Sequence, residues 1–508
     1  MRAAGLPLPG ATRAAGRARS LPRAWPAATV LAALATLNFM ARPGEPAGLV
    51  WDEGYYVSST WRYLHGRAQF GTHPPLGLLL LAAGEAATAP NAARDTARLG
   101  DAKHVAGDAL PAGYSLAGMR LASGTAAVLA ALALFALGLA LSRSVPAALV
   151  VASTFAFDTA AVAHLRAAHL EAFQLLFALL ALWGFVAAAR RGHATAAECA
   201  LGGFGALAML VKLNAAWLLV PAAALVAQRA LSRRARGPVP MLRAGVATAL
   251  PMLATGLLAT ALVFAAHLVV GHRMPVAGTA AGDQDAAFVD GAYRAYLEGG
   301  RGLDPAVLAG AIGDYARFIA ADVAGMGRHD ANGSTPVQWL AQRRTINYRW
   351  DSDGVRTAYV QLVPNPAGWL LAAVAPAAAA LLLALARLRP APAPPADRRV
   401  PAWVLGTLLA TWLACFGLHA WIASQRVMYL YHALDGVLLG VLLAAAAWPW
   451  AGERWPRLAR HEGALVAGFA ALQLAAFVWW SPLALHRPLD TAACELRNWP
   501  HAVVECRP

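Results

Sequence analysis

Residues 118–141 read GMRLASGTAAVLAALALFALGLAL, with Arg120 the only charged side chain in the stretch. At a rise of about 1.5 Å per residue, about 20 such residues cross the ~30 Å hydrocarbon core of a bilayer as one helix. Working outward, the same character recurs near 26–43, 145–164, 170–189, 197–212, 213–228, 243–270, 367–386, 402–421, 428–449 and 463–480. That makes about eleven spans. The two short segments 197–212 and 213–228 could form one unit broken around Lys212. A further apolar stretch, 74–88, begins at Pro74-Pro75 and carries Glu85. It is too short for a span and reads as an interfacial helix. The expected fold class is therefore an all-α integral membrane protein.

Composition agrees. Of 508 residues 59% are apolar and 14% charged, against roughly 25% charged in soluble proteins. A soluble enzyme, a disordered tail protein and a secreted disulfide scaffold are excluded. The formal net charge is +15, and the only lysines are Lys103 and Lys212. Such a charge also fits a nucleic-acid partner, so its location decides. With the N-terminus placed inside, the inner pieces 1–25, 142–146, 190–198, 229–243, 387–400 and 451–462 hold 20 Arg against four acids. The outer pieces 45–117, 272–366 and 481–508 hold 17 basic groups against 20 acids. This is the positive-inside asymmetry, and it removes nucleic acid as a partner. The Arg-rich start, Arg2 to Arg23, reads as an inside anchor rather than a signal peptide. Pro390 to Pro395 reads as a stiff inner linker.

The chain thus divides into an inner N-terminus (1–25), a first transmembrane module (26–271) with outer loop 45–117, a large outer loop (272–366), C-terminal spans (367–480) and an outer tail (481–508). Cys199 and Cys415 fall in spans and read as inert. Cys494 and Cys506 fall in the outer tail, where an oxidising compartment would let them pair.

Ionisable groups in or beside spans are costly and need a reason. They are Arg120, Asp158, Arg166, Glu171, Lys212, Arg426, His432 and Asp435. On this map Arg120, Arg166, Glu171, Lys212 and Arg426 all lie near the outer face. The first outer loop opens with Trp51-Asp52-Glu53-Gly54-Tyr55-Tyr56 and continues to Gly71-Thr72-His73-Pro74-Pro75-Leu76-Gly77. A carboxylate beside a low-dielectric surface can act as a general base toward an acceptor hydroxyl. Taken alone, an Asp-Glu pair is more often a solvated loop feature, and the company it keeps changes that. Arg120 and Arg426 read either as phosphate ligands, through the planar guanidinium fork, or as snorkelling side chains. Arg166 and Glu171 could equally be a structural ion pair. Asp158 and Asp435 stay unassigned, and no metal-ligand pattern or Gly-rich phosphate loop is present.

In order, these pieces resemble the protein O-mannosyltransferase family, lipid-carrier-dependent glycosyltransferases of the GT-C type. The resemblance runs from the Asp52-Glu53 pair and His73-Pro74-Pro75-Leu76 through Arg120, Arg166 to Glu171, and Lys212. It continues with His329 to Ser334, Asn365-Pro366-x-x-Trp369, and Arg426 to Tyr431-His432. It implies a compact, bacterial-type member, because the loop 272–366 is too short for the β-trefoil domain of eukaryotic members. It also implies Asp52 and Glu53 as catalytic residues and Arg120, Lys212 and Arg426 as donor-phosphate ligands. His73, Arg166, Glu171, His329, Tyr431 and His432 would be substrate contacts. The expected reaction moves a sugar, mannose, from a polyprenyl-phosphate carrier to Ser/Thr of an exported polypeptide, with inversion. No cofactor or metal is implied. The setting would be the outer face of a bacterial inner membrane, and relatives in eukaryotes dimerise. The same donor chemistry on lipid A, a glycan or a glycolipid is an alternative. A flippase for lipid-linked sugar is another, disfavoured because the polar residues gather at one face rather than the midplane.

Overall fold

A computed structural model describes residues 21–191, 194–388, 399–498 and 506. Most of the Arg-rich start and the Pro390 to Pro395 linker lie outside the described residues. Each apolar segment read from the sequence is helical. The helices are α1 (Leu21–Met40), α2 (Glu53–Leu64), α3 (Leu76–Thr88), α4 (Ala117–Ser142), α5 (Val145–Ala156), α6 (Thr159–Leu165), α7 (Glu171–Arg191), α8 (Thr195–Val211), α9 (Leu219–Leu231) and α10 (Pro238–Val270). The large loop contributes α11 (Ala280–Ala286), α12 (Gly291–Leu297), α13 (Pro305–Gly325), α14 (Pro336–Leu340) and strands β1 (Ile346–Ser352) and β2 (Thr357–Leu362). Then follow α15 (Pro366–Leu388), α16 (Ala402–Gln425), α17 (Leu434–Arg454), α18 (Pro456–Arg460), α19 (Glu462–Ala484), β3 (Pro488–Leu489) and α20 (Thr491–Glu495).

Among the described residues, eight helices are long and apolar enough to cross a membrane, or nine if the α5–α6 pair counts as one. The described part of α1, α8 and α3 form a shorter apolar class. The chain is a multi-pass membrane protein. One segment read as continuous, 145–164, is bent by 55° between α5 and α6. Asp158, unassigned in the sequence, sits at the bend. Its carboxylate accepts from the backbone N–H of Ala160 and Ala161, capping α6, and from Asn365 N–H and Trp369 Nε1 on the far side. A cap of this kind satisfies donors a new helix leaves unpaired.

The segments 197–212 and 213–228 are likewise separate. Helix α8 ends at Val211, and Lys212 is extended, with φ −148° and ψ 128°. A 3-10 turn (Leu213–Leu218) then leads into α9. Pro74-Pro75 sets the start of α3, where a missing N–H costs nothing. Helix α3 packs on α4 with backbones close: a Cβ at Gly84 would meet the Gly118 carbonyl at 2.6 Å.

The large loop folds back over one end of the helices. Its antiparallel sheet has the order β1-β2-β3 and a register shift between Asn347 and Arg349. That bulge lies at Tyr348, whose hydroxyl meets His164 Nδ1 at 2.9 Å. Bulges redirect a side chain out of the regular alternation. In the tail, Cys494 and Cys506 are joined, with Cα atoms 5.8 Å apart, and Cys494 packs with Tyr359, Val363 and Trp480.

Candidate active site

The Asp52-Glu53 pair sits where α1 hands over to α2. Glu53 is fully buried. Its two oxygens accept from Arg120 Nε and Nη2, each at 2.8 Å, and from the backbone N–H of Val50 and Ala168. Arg120, also buried, donates its other N–H groups to the carbonyls of Pro43, Pro46 and Gly48. All five donors are taken. This corrects the expectation of a phosphate ligand: Arg120 is a clamp that fastens the loop 43–53 to the start of α4. Burial alone would raise the Glu53 carboxyl, but the Arg120 charge and hydrogen bonds hold it below its usual range. Glu53 does not line the cavity, so it positions the loop rather than meeting substrate.

The neighbouring residues are the reverse. Trp51 has φ +50°, the left-handed region that a bulky residue rarely adopts. Its ring packs on Tyr348 and Tyr429, with centroids at 5.1 and 5.4 Å. The turn presents Asp52 to a cavity of about 720 Å³, within the range of small-molecule sites. The Asp52 side chain does not cap α2 and has no hydrogen-bond partner among the described residues. Burial raises its proton affinity, opposed first by His169 and then by Lys212 and Arg426.

Lys212, Arg426, His73, His329, Tyr431 and His432 line the same cavity. With Asp52, they come from five separate stretches of chain. Lys212 donates to Glu171, and Glu171 Oε2 lies 3.0 Å from His164 Nε2. Lys212 also sits 5.6 Å from the Tyr431 ring centroid. Arg426 has one contact, to Met326 Sδ at 3.2 Å, and no carboxylate partner among the described residues. It is the less neutralised cation of the two. Burial, then the charges of Lys212 and Arg426, push the His73 imidazole well below its ordinary range, which disfavours its charged form.

Arg166 and Glu171 do not pair with one another. Arg166 donates to the Ala41 carbonyl at 2.8 Å, while Glu171 holds Lys212. The chain breaks helix between them, α6 ending at Leu165 and α7 starting at Glu171. Neither lines the main cavity, so neither is placed as a direct substrate contact.

The sequence reading missed the opposite wall. Asp285 of α11 is fully buried and pairs with Arg62 and Lys103, while Lys103 also donates to the Phe70 carbonyl. Thr72 Oγ1 donates to Asp322 at 2.6 Å. Lys103 was conspicuous as one of two lysines, and the buried Asp had no marker. His164 and His169, stacked with centroids 4.2 Å apart, were missed too. Among the described residues, no three His, Cys, Asp or Glu side chains are placed to hold a metal ion.

The comparisons with known proteins fall on this frame. Residues 29–270 match the family described as dolichyl-phosphate-mannose-protein mannosyltransferase. Residues 318–502 match the C-terminal four-transmembrane region of protein O-mannosyltransferases. The chain belongs to the protein O-mannosyltransferase family. It is a membrane glycosyltransferase of the GT-C fold. A structure of the Saccharomyces cerevisiae protein O-mannosyltransferase Pmt1–Pmt2 complex bound to the sugar donor matches with a TM-score of 0.75 at 14% identity. The match covers 95% of this chain and 93% of that one. An oligosaccharyltransferase of Archaeoglobus fulgidus is 12% identical over 92% of this chain and 55% of its own, with a TM-score of 0.46. ArnT from Cupriavidus metallidurans, bound to undecaprenyl phosphate, is 13% identical over 85% and 78%, with a TM-score of 0.33. No curated protein matches by sequence. For this mannosyltransferase-family member, then, the family and fold expected from the Asp52 to His432 pattern hold.

Proposed function

We propose that this protein transfers mannose from a polyprenyl-phosphate carrier to Ser or Thr hydroxyls of exported polypeptides, with inversion at the anomeric carbon. The observation that carries the reading is one cavity shared by an unpaired carboxylate, Asp52, and two cations, Lys212 and Arg426. The cations suit the carrier phosphate. Arg426 offers free guanidinium donors, and Lys212, held by Glu171, a point charge. As the bond between sugar and phosphate breaks, negative charge grows on the phosphate, and fixed cations stabilise that change without reorganising. Asp52 takes the proton of the attacking hydroxyl. Its raised proton affinity improves it as a base. The charge asymmetry of the loops supports a cytoplasmic N-terminus and a cavity opening on the outer face of a bacterial plasma membrane.

The test is transfer from synthetic polyprenyl-phosphate mannose to a Ser/Thr-containing peptide in detergent, read by mass spectrometry. Wild type should give a mannosylated peptide, and Asp52→Asn should give none while eluting as a folded protein. Turnover by Asp52→Asn would overturn the assignment of the base. Transfer to lipid A or a glycolipid but never to peptide would overturn the acceptor.

A further inference from the structure

Asp435 lies in the first turn of α17, buried inside a membrane-crossing segment. An ionisable group in that setting is costly and needs a partner. Among the described residues no Lys or Arg pairs with it, and His419 Nε2 stands off at 3.9 Å. Its oxygens accept instead from Gln174 Nε2 at 2.9 and 3.2 Å, from Asn214 Nδ2 at 3.3 Å and from Trp217 Nε1 at 3.4 Å. Asn214 Nδ2 also lies 3.2 Å from His419 Nε2, and His419 Nδ1 lies 2.8 Å from the Cys415 carbonyl oxygen. A carbonyl only accepts, so Nδ1 carries the hydrogen and Nε2 accepts from Asn214. Both N–H groups of the Asn214 amide are therefore used.

These partners share a neighbour. Gln174 stands about one turn after Glu171 in α7. Asn214 and Trp217 sit in the 3-10 turn that follows Lys212. Tyr431 and His432 come just before Asp435 in the chain. Lys212 donates to Glu171 and lies 5.6 Å from the Tyr431 ring centroid. Asp435 thus ties together the turn that carries Lys212 and the two elements that hold its ammonium. Nothing local breaks the helix at Lys212. Residues 208–218 read AMLVKLNAAWL, with no Gly or Pro, and could continue α8. A break of this kind has to be held from outside, and Asn214 and Trp217 on Asp435 are such holds. A continuous helix would replace the extended dihedrals of Lys212 with helical ones and re-aim its side chain.

We propose that Asp435 is a positioning residue for Lys212: it holds the turn after the helix break so that the ammonium stays aimed at the carrier phosphate. This rests on Lys212 being a ligand of that phosphate. Asp435 itself does not line the cavity, so it acts only through the residues it ties. A lysine is a point charge on a flexible stem, and ordering it on binding costs affinity. Fixing its backbone and its Glu171 partner beforehand removes part of that cost. The same preorganisation lets the charge stabilise the leaving phosphate without moving.

The test is a double-mutant cycle, read as binding of polyprenyl phosphate in detergent and as donor kinetics in the peptide-transfer assay. Asp435→Asn keeps the shape but sets an amide NH2 against the Gln174, Asn214 and Trp217 donors. It should weaken polyprenyl-phosphate binding about tenfold and raise the donor KM to match, with the acceptor KM within about twofold. Beside Lys212→Ala it should cost nothing further. The same tenfold loss in the Lys212→Ala background, or wild-type binding by Asp435→Asn, would make Asp435 merely structural and overturn the proposal. If Asp435→Asn is not recovered folded, Trp217→Phe takes its place. It keeps a ring and removes one donor, so the loss should be about two- to threefold and should again vanish beside Lys212→Ala. Weak binding by Lys212→Ala without coupling to Asp435 sinks this inference alone. Wild-type binding by Lys212→Ala sinks the phosphate assignment beneath it.

Discussion

Asp52 and Glu53 are consecutive carboxylates in opposite surroundings. Glu53 is sealed against Arg120 with every hydrogen-bond site used. Asp52 faces a cavity, unpaired, with Lys212 and Arg426 on the same wall. One carboxylate holds shape and the other is open to the cavity. One residue of a dipeptide can thus be anchored in an ion pair while its neighbour stays free.

The strongest attempt to break this contrast is to remove charge on each side. Asp52→Asn should cost at least about 10³-fold in transfer at unchanged thermal stability in detergent. Arg120→Ala should do the opposite: it leaves Glu53 charged and buried, a loss of about 3–5 kcal/mol. The expected readout is a large fall in melting temperature or in yield from the membrane. If Arg120→Ala is as stable as wild type, the clamp is not one.

Arg426→Ala should lower kcat/KM for the lipid-linked donor by about 10²-fold, with Arg426→Lys recovering part of it, since a point charge lacks the planar fork. Equal activity in all three would remove Arg426 from the phosphate. Titration sharpens the contrast further. Asp52 is raised, so activity should fall as pH drops through a value above the usual carboxylate range. Glu53 is lowered, so its contribution to stability should survive that same drop and vanish only at lower pH. A melting temperature that tracks activity with pH would contradict this. The smallest effect is expected from EDTA. Lys212 and Arg426 supply the positive charge on the proposed route, so chelation should leave the rate within about twofold. A rate restored only by added divalent ion would replace them.

The helices were legible in sequence because span length and loop charge are summed over many residues and tolerate local error. The site was legible only in part. Arg120, Lys212 and Arg426 were all marked by the cost of a cation in an apolar run. That cost does not say which carboxylate answers it. Arg120 finds Glu53 from 67 positions away, and Lys212 finds Glu171 from 41. Arg166 looked like the partner of Glu171 by proximity in the chain, but the break between α6 and α7 turns the two apart. Tyr348 reaches His164 only through a bulge, which no alternation pattern marks.

The Arg120 clamp has a consequence for where chemistry happens in depth. Helix α4 has 26 residues, about 39 Å at the usual rise, so it exceeds the ~30 Å hydrocarbon layer. Arg120 lies in its first turn, and the loop bearing Asp52 hangs from that guanidinium. The height of Asp52 above the bilayer centre is thus set by the seating of one span. A lipid-borne substrate takes its own height from the same bilayer. Membrane thickness becomes a ruler that both reactants read.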